Sequence, residues 1–244
     1  MNKFVALLLF FISCTVHAGC EENLPKWGKK LQPGRTLSTQ FASCRVWPAA
    51  PSLTLAVLPY LREHSDGFVE VYDLETLVVD TASGTIVAHL FQSSAITSDT
   101  VRLSSITMDT ARYRLTQDRR AFGIRIAYIG QSRVNPYNPT SLNLYVFDGR
   151  KLSIVLAKLA VSVNGGEWDG NCRGAFYSIV RTIDSTSTTS HNYADLKINE
   201  EQKSVLATGT MDDCKEQASK KKRRQISVKF KNGLYDLPTQ LRLD

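Results

Sequence analysis

The residues with the most chemical promise lie between Gly165 and Cys172, which read Gly-Gly-Glu-Trp-Asp-Gly-Asn-Cys. Glycines let a backbone come close to a ligand, and Glu167 and Asp169 flank the indole of Trp168. An aromatic platform between two carboxylates suits a sugar or a cationic partner. Tyr137 stands in a second loop, Arg133-Val-Asn-Pro-Tyr-Asn-Pro-Thr140, stiffened by two prolines. On a strand, Glu167 and Asp169 would share a face. A carboxylate pair working as acid and as base or nucleophile is the machinery of glycoside hydrolysis. The competing reading is a tight connection in which Trp168 fills the core and Cys172 anchors a disulfide.

Other chemistries find less support. His64, His89 and His191 are isolated, and the chain has no Cys-x-x-Cys and no His-Glu-x-x-His. Asp212 and Asp213 precede Cys214 without the spacing of a calcium loop. Neither a metal nor a cofactor is expected. There is no Gly-x-Ser-x-Gly elbow, and Ser219-Lys-Lys-Lys222 matches Ser-x-x-Lys only in its letters, inside a charged loop. Lys220, Lys221, Lys222, Arg223 and Arg224 form a basic patch that suits a phosphate-rich surface or an acidic protein. The plainer reading is a solvated hairpin tip, whose charges beside the strand Ile226–Phe230 blunt a sheet edge.

These groups work where the N-terminus sends them. Residues 1–18 read MNKFVALLLFFISCTVHA: one lysine, an apolar run from Phe4 to Ile12, then Val16-His17-Ala18. That is the pattern of a secretory signal peptide with cleavage after Ala18. The run is too short for a spanning helix, which needs about 20 residues, and no later stretch is long and apolar enough. A periplasmic or secreted chain is expected. The alternative reads Ala18-Gly19-Cys20 as the end of a lipobox with a lipid on Cys20, although His17 stands where lipoboxes carry an aliphatic residue. Cys14 leaves with the signal, so Cys20, Cys44, Cys172 and Cys214 remain. Four thiols in an oxidising compartment admit three connectivities. The sequence-local pairing, Cys20 with Cys44 and Cys172 with Cys214, is the expectation. Lipidation would leave Cys44 without a partner. The formal charge of +7 suits anionic envelope components, and nucleic acid is not expected there.

The elements that must position these groups are strands. Residues 19–52 read as an irregular arm, interrupted by Pro25, Gly28, Pro33, Gly34, Pro48 and Pro51 and held to the body by Trp27 and Trp47. From Leu53 to Asp244 the pattern has period two: Phe122, Ile124, Ile126 and Tyr128 alternate with smaller or polar residues, as do Ile226, Val228 and Phe230. Leu53–Arg62 favours a strand despite Pro59. Asp148-Gly149 and Asn232-Gly233 are hairpin signals, because a type I′ turn needs positive φ at both central residues. The segment Leu77–Ala88 is another strand–turn–strand unit, and Ser185–Ser190 reads as a polar loop. The whole is expected to be all-β, an antiparallel sandwich or meander in one domain, preceded by the arm and the signal.

Asp109-Thr-Ala-Arg-Tyr113, Arg120-Ala-Phe-Gly-Ile-Arg125, Ser132-Arg-Val-Asn-Pro-Tyr137, Gly166–Cys172 and Ala194-Asp-Leu196 together resemble a group of exported bacterial proteins of unassigned function. The resemblance spans Leu53 to Pro238. It implies export and β-rich character, and no activity. The sequence therefore favours a non-enzymatic periplasmic protein that binds an envelope protein or polymer, in the manner of an inhibitor or immunity protein. A cell-wall carbohydrate hydrolase using Glu167 and Asp169, or a structural envelope component, are the alternatives. Intact-mass analysis of the exported protein decides the anchoring question. A chain beginning at Gly19 with two disulfides is expected, and one beginning at a lipid-bearing Cys20 would overturn the reading.

Overall fold

The computed structural model describes residues 19–62 and 68–243. The expected signal sequence, residues 1–18 with Cys14, and His64 lie outside the described residues. The chain is all-β, with strands joined almost throughout to their sequence neighbours. Its first sheet holds β1 (Thr36–Leu37), β2 (Ser43–Val46), β3 (Leu53–Leu61), β4 (Glu70–Asp80) and β5 (Ile86–Ser98). The second runs in sequence order through β6 (Val101–Arg114), β7 (Arg120–Gly130), β8 (Tyr137–Phe147), β9 (Leu152–Trp168), β10 (Gly174–Ser190) and β11 (Tyr193–Thr210). Both β12 (Asp213–Ala218) and β13 (Lys222–Val228) then pair with β11. A short hairpin, β14 (Phe230–Lys231) and β15 (Leu234–Tyr235), follows.

The two sheets stack where period-two alternation turns apolar residues inward. Leu55, Val57, Leu74 and Val78 from the first sheet meet Ile106, Phe122, Ile124 and Tyr145 from the second. Phe122 is fully buried, edge-on to Trp47 at 5.7 Å and stacked on Tyr145 at 5.6 Å. Burial raises the Tyr145 hydroxyl to about 12. It donates to Gln92 Oε1 at 2.7 Å, so a polar group deep in the core is satisfied. The second sheet is strongly coiled, and the Ala194 N–H of β11 donates to the Leu115 carbonyl beyond β6 at 2.7 Å. The C-terminal segment fills the resulting hollow with Phe230, Tyr235, Leu237 and Leu241.

Pro59 is accommodated because of where it falls on β3. On that flank β1 pairs with Tyr60 and Leu61, and β2 pairs with Thr54–Val57. Pro59 sits in the gap, where only its carbonyl is used, by the Ser38 N–H at 2.8 Å. The missing N–H therefore breaks no ladder bond. Asn232 and Gly233 both take positive φ, as do His191 and Asn192 between β10 and β11. At Asp148-Gly149 only Gly149 does, and the turn is not the expected type I′: Asp148 Oδ1 accepts the Arg150 and Lys151 N–H groups at 2.9 and 2.7 Å.

The arm is more regular than its prolines and glycines suggest. A 3-10 turn, Cys20–Asn23, leads into α1 (Leu24–Leu31). Pro25 lies in the first turn, where an absent N–H is harmless. Leu24, Trp27 and Leu31 face the first sheet, and the Tyr60 hydroxyl donates to the Gly28 carbonyl at 3.2 Å. The Cys20–Cys44 disulfide ties the helix to β2. Closing that loop contributes about 3 kcal/mol by the chain-entropy model.

Truncating the residue on which the sheet stack centres tests this packing. Phe122→Ala should cost about 3–5 kcal/mol in urea unfolding. A loss below about 1 kcal/mol would contradict the assignment of Phe122 to the core.

Candidate functional site

Strands β9, β10 and β11 outrun the core, and the sequence-predicted residues gather where they do. Along one face the side chains form transverse ranks fixed by the strand register. Ile183, Ile198 and Ile226 make the last apolar rank, on β10, β11 and β13. The next rank is charged: Arg181, Glu200 and Arg224. Beyond it lie Ile179 with Gln202 and Lys222, then Gly165 with Tyr177 and Ser204, then Glu167 with Ala175, Leu206 and Gln217. Tyr137 of β8 pairs with Gly165 and so joins this face.

The charged rank closes the core. Glu200 is 6% exposed and accepts from Arg181 Nε at 2.7 Å and from Arg224 Nε at 2.5 Å. Arg181 also donates to the Ala160 carbonyl at 2.5 Å. Burial pushes the Glu200 carboxyl up. The hydrogen bonds and charges of Arg224 and Arg181 outweigh this and hold it below the usual carboxylate range. Beyond this rank the sheet continues, and Ile179, Tyr177 and Phe176 on its two faces are only half-buried.

Gly165 and Gly166 are strand residues of β9, not part of a loop. A Cβ on Gly165 would lie 2.5 Å from the Tyr177 hydroxyl oxygen and 2.6 Å from its Cζ. One on Gly166 would lie 2.6 Å from Phe176 Cδ1. Each ring thus lies across the bare backbone of the glycine paired with it, Tyr177 on one face and Phe176 on the other. The glycines serve aromatic side chains of the neighbouring strand. Tyr177 and Ala175 border two open troughs of about 500 and 480 Å³, lined also by Leu206, Ser204, Gln202, Tyr137 and Glu167.

The two predicted carboxylates stand in different local settings. Glu167 is exposed on β9. β9 ends at Trp168, and Asp169 enters the turn, where its Oδ1 accepts the Asn171 N–H at 2.8 Å and the Arg173 N–H at 3.1 Å. Trp168 is half-buried rather than in the core, lies on the Phe176 face, and donates to the Asn171 carbonyl at 3.2 Å. Asp169 is thus engaged by backbone N–H groups of its own turn, whereas Glu167 stands exposed near the end of β9. Cys172 and Cys214 form the expected disulfide and staple the turn to β12.

Segments read as loops are largely strand. Of Arg133–Thr140, the part from Tyr137 begins β8; Ser185–Ser190 completes β10; and Gln217–Gln225 ends β12 and begins β13, with Ser219–Lys221 between the two. The basic patch therefore runs along the sheet edge rather than at a hairpin tip, with Lys220 and Lys221 in a bulge and Lys222, Arg223 and Arg224 in β13. Lys221 and Arg223 hold Glu201 at 3.3 and 3.0 Å, and Arg224 holds Glu200. Ser219–Lys221 oppose only Lys203 and Ser204 of β11, a bulge fixed by the Ser219 N–H donating to the Ser204 carbonyl at 2.7 Å.

A second polar cluster escaped the sequence reading. Asp73 and Glu75 are fully buried on the face of β4 beneath the arm. Asp73 binds Arg35 and accepts the Ser94 N–H at 2.7 Å. Glu75 accepts from Gln32 Nε2 at 3.1 Å and faces His89 Nδ1 at 2.7 Å. Each carboxylate is already engaged by two groups, so the cluster acts as a latch for the arm. Its only sequence signal is two acids alternating with apolar residues in Tyr-Asp-Leu-Glu-Thr-Leu. Among the described residues, Cys20, Glu21 and Cys44 bring potential metal-binding atoms together, but both sulfurs are spent in the disulfide.

Comparison with protein-family models, curated proteins and solved structures finds no match to this chain.

Removing the carboxylate of the charged rank tests its role. Glu200→Gln leaves the buried Arg181 without its counter-charge and should cost about 3–5 kcal/mol. Because the folded carboxyl sits below its usual range, its contribution is complete above that range and is lost as pH falls through the lowered value. Denaturation across that acid window should show a shallower fall in E200Q than in the parent. Identical acid slopes would contradict the assignment.

Proposed function

We propose that this is an exported binding protein which docks a partner protein of the cell envelope on the open end of its second sheet. The observation that carries the reading is the extension of β9, β10, β11 and β12 beyond the Arg181–Glu200–Arg224 rank. There the strands keep their register, carry flat aromatic rings and are stapled by Cys172–Cys214, yet bury little of what they present. Leu206 and Val180, one on each face, are both 49% exposed. A rigid open surface with apolar groups amid amides and hydroxyls is suited to recognition.

Two disulfides fit an oxidising compartment, and among the described residues no helix is long and apolar enough to cross a membrane. The Cys20 sulfur cannot both bond Cys44 and carry a lipid, which supports the free form released by cleavage after Ala18.

Affinity purification of the tagged mature protein from a periplasmic fraction tests the proposal. A defined partner should be recovered with the parent chain. Recovery should fall at least about tenfold with Ala175→Asp/Leu206→Asp, which charges the open face without touching the core. Clean recovery of the protein alone, or equal recovery with both chains, would refute the placement.

A further inference from the structure

The edge of the open sheet carries a chemical specification of its own. Among the described residues β13 pairs with β11 and with no other strand. Alternate N–H and C=O groups along its other side therefore face solvent, which is the geometry that accepts an added strand. The pairing of β13 with β11 runs through Lys222–Val228 without a register shift, so the free side is straight over the same length. Every residue from Met211 to Gln225 is exposed.

Charge narrows what can add there. The run Lys220–Arg224 faces two carboxylates, and both are already engaged: Glu200 by Arg181 and Arg224, Glu201 by Lys203, Lys221 and Arg223. Lys220 and Lys222 meet no carboxylate among the described residues. The edge thus keeps a positive excess after its internal pairs are made. A second copy adding edge to edge would set cations against cations, which disfavours self-pairing. An acidic strand meets the opposite field. The cations also alternate: Lys222 and Arg224 stand on the face of Gln202 and Glu200, and Arg223 on the face of Glu201. A complementary strand must therefore carry acids at consecutive positions, so that both of its faces are negative.

We propose that the free edge of β13 takes an extended segment of a partner protein, bearing consecutive Asp or Glu residues, as an additional β-strand. The inference rests on the partner-binding reading and names one contact of that interface. Backbone pairing supplies the alignment, and the cations select the sequence.

The test uses the mature full chain and a synthetic peptide with four consecutive glutamates flanked by Val-Thr pairs. Two further peptides are N-methylated at alternate residues in opposite phases. Because only every second amide of an added strand faces the edge, one phase should weaken binding at least about tenfold and the other should leave it nearly unchanged. The unmodified peptide should slow amide exchange in β13. It should bind at least about tenfold more weakly to Lys220→Glu/Lys222→Glu, a variant that breaks no ion pair within the fold. A circular dichroism spectrum and melting midpoint matching the parent show that this variant is folded.

Equal binding of both methylated peptides would reduce the site to a charged surface and overturn the proposal. Undiminished binding to the double variant would do the same. Absence of peptide binding, with capture of phosphatidylglycerol vesicles instead, would reassign the cations to a membrane surface. The two readings fail separately. A partner that needs Ala175 and Leu206 but ignores Lys220→Glu/Lys222→Glu leaves the binding function standing and removes this strand.

Discussion

A row of three charged side chains sets where this protein stops being core and becomes surface. Arg181, Glu200 and Arg224 lie side by side on β10, β11 and β13, one rank beyond Ile183, Ile198 and Ile226. A carboxylate buried to 6% exposure is tolerable only with its charge matched and its oxygens bonded, and two guanidinium groups do both. Without that pairing, the long strands would have to end at the last apolar rank or bury their continuation. With it, the sheet runs on as an ordered surface whose side chains are free for another molecule.

The open end then needs its own means of keeping shape, since among the described residues no second layer packs on it. Register supplies one, through ladders continuous from β8 to β12. The glycine–aromatic pairs supply a second. Tyr177 and Phe176 cover the bare backbones of Gly165 and Gly166 from opposite faces. The Cys172–Cys214 bond supplies a third, closing the outermost turn against the edge. These restraints are local, so they stiffen the surface without burying it. A rigid surface loses little conformational entropy when a partner binds.

The sequence made parts of this legible and hid others for identifiable reasons. Period-two alternation and the Asp148-Gly149 and Asn232-Gly233 turns disclosed the antiparallel strands, because these signals act over a few residues. The disulfide pairing followed from cysteine number and separation. The Gly165-Gly166 pair suggested a loop, because the rings that need those glycines lie on another strand. Lys220–Arg224 suggested a solvated tip, because Glu200 and Glu201 stand twenty or so residues away in sequence yet directly opposite in register. In the arm, Pro25 and Gly28 concealed a helix whose first turn tolerates the one and whose contact with Tyr60 suits the other. Asp73 and Glu75 drew no notice, since nothing local shows that Arg35, Gln32 and His89 converge on them.

The central claim is that the open end of the second sheet is where this protein meets its partner. Site-specific photo-crosslinking in the living cell tests it most directly. A photoreactive residue would be placed in turn at Leu206, at Ala175 and at Val87, an exposed position of the first sheet. The account predicts one discrete adduct from Leu206 and Ala175 and none from Val87. An adduct from Val87 with none from the two open-end positions would contradict it.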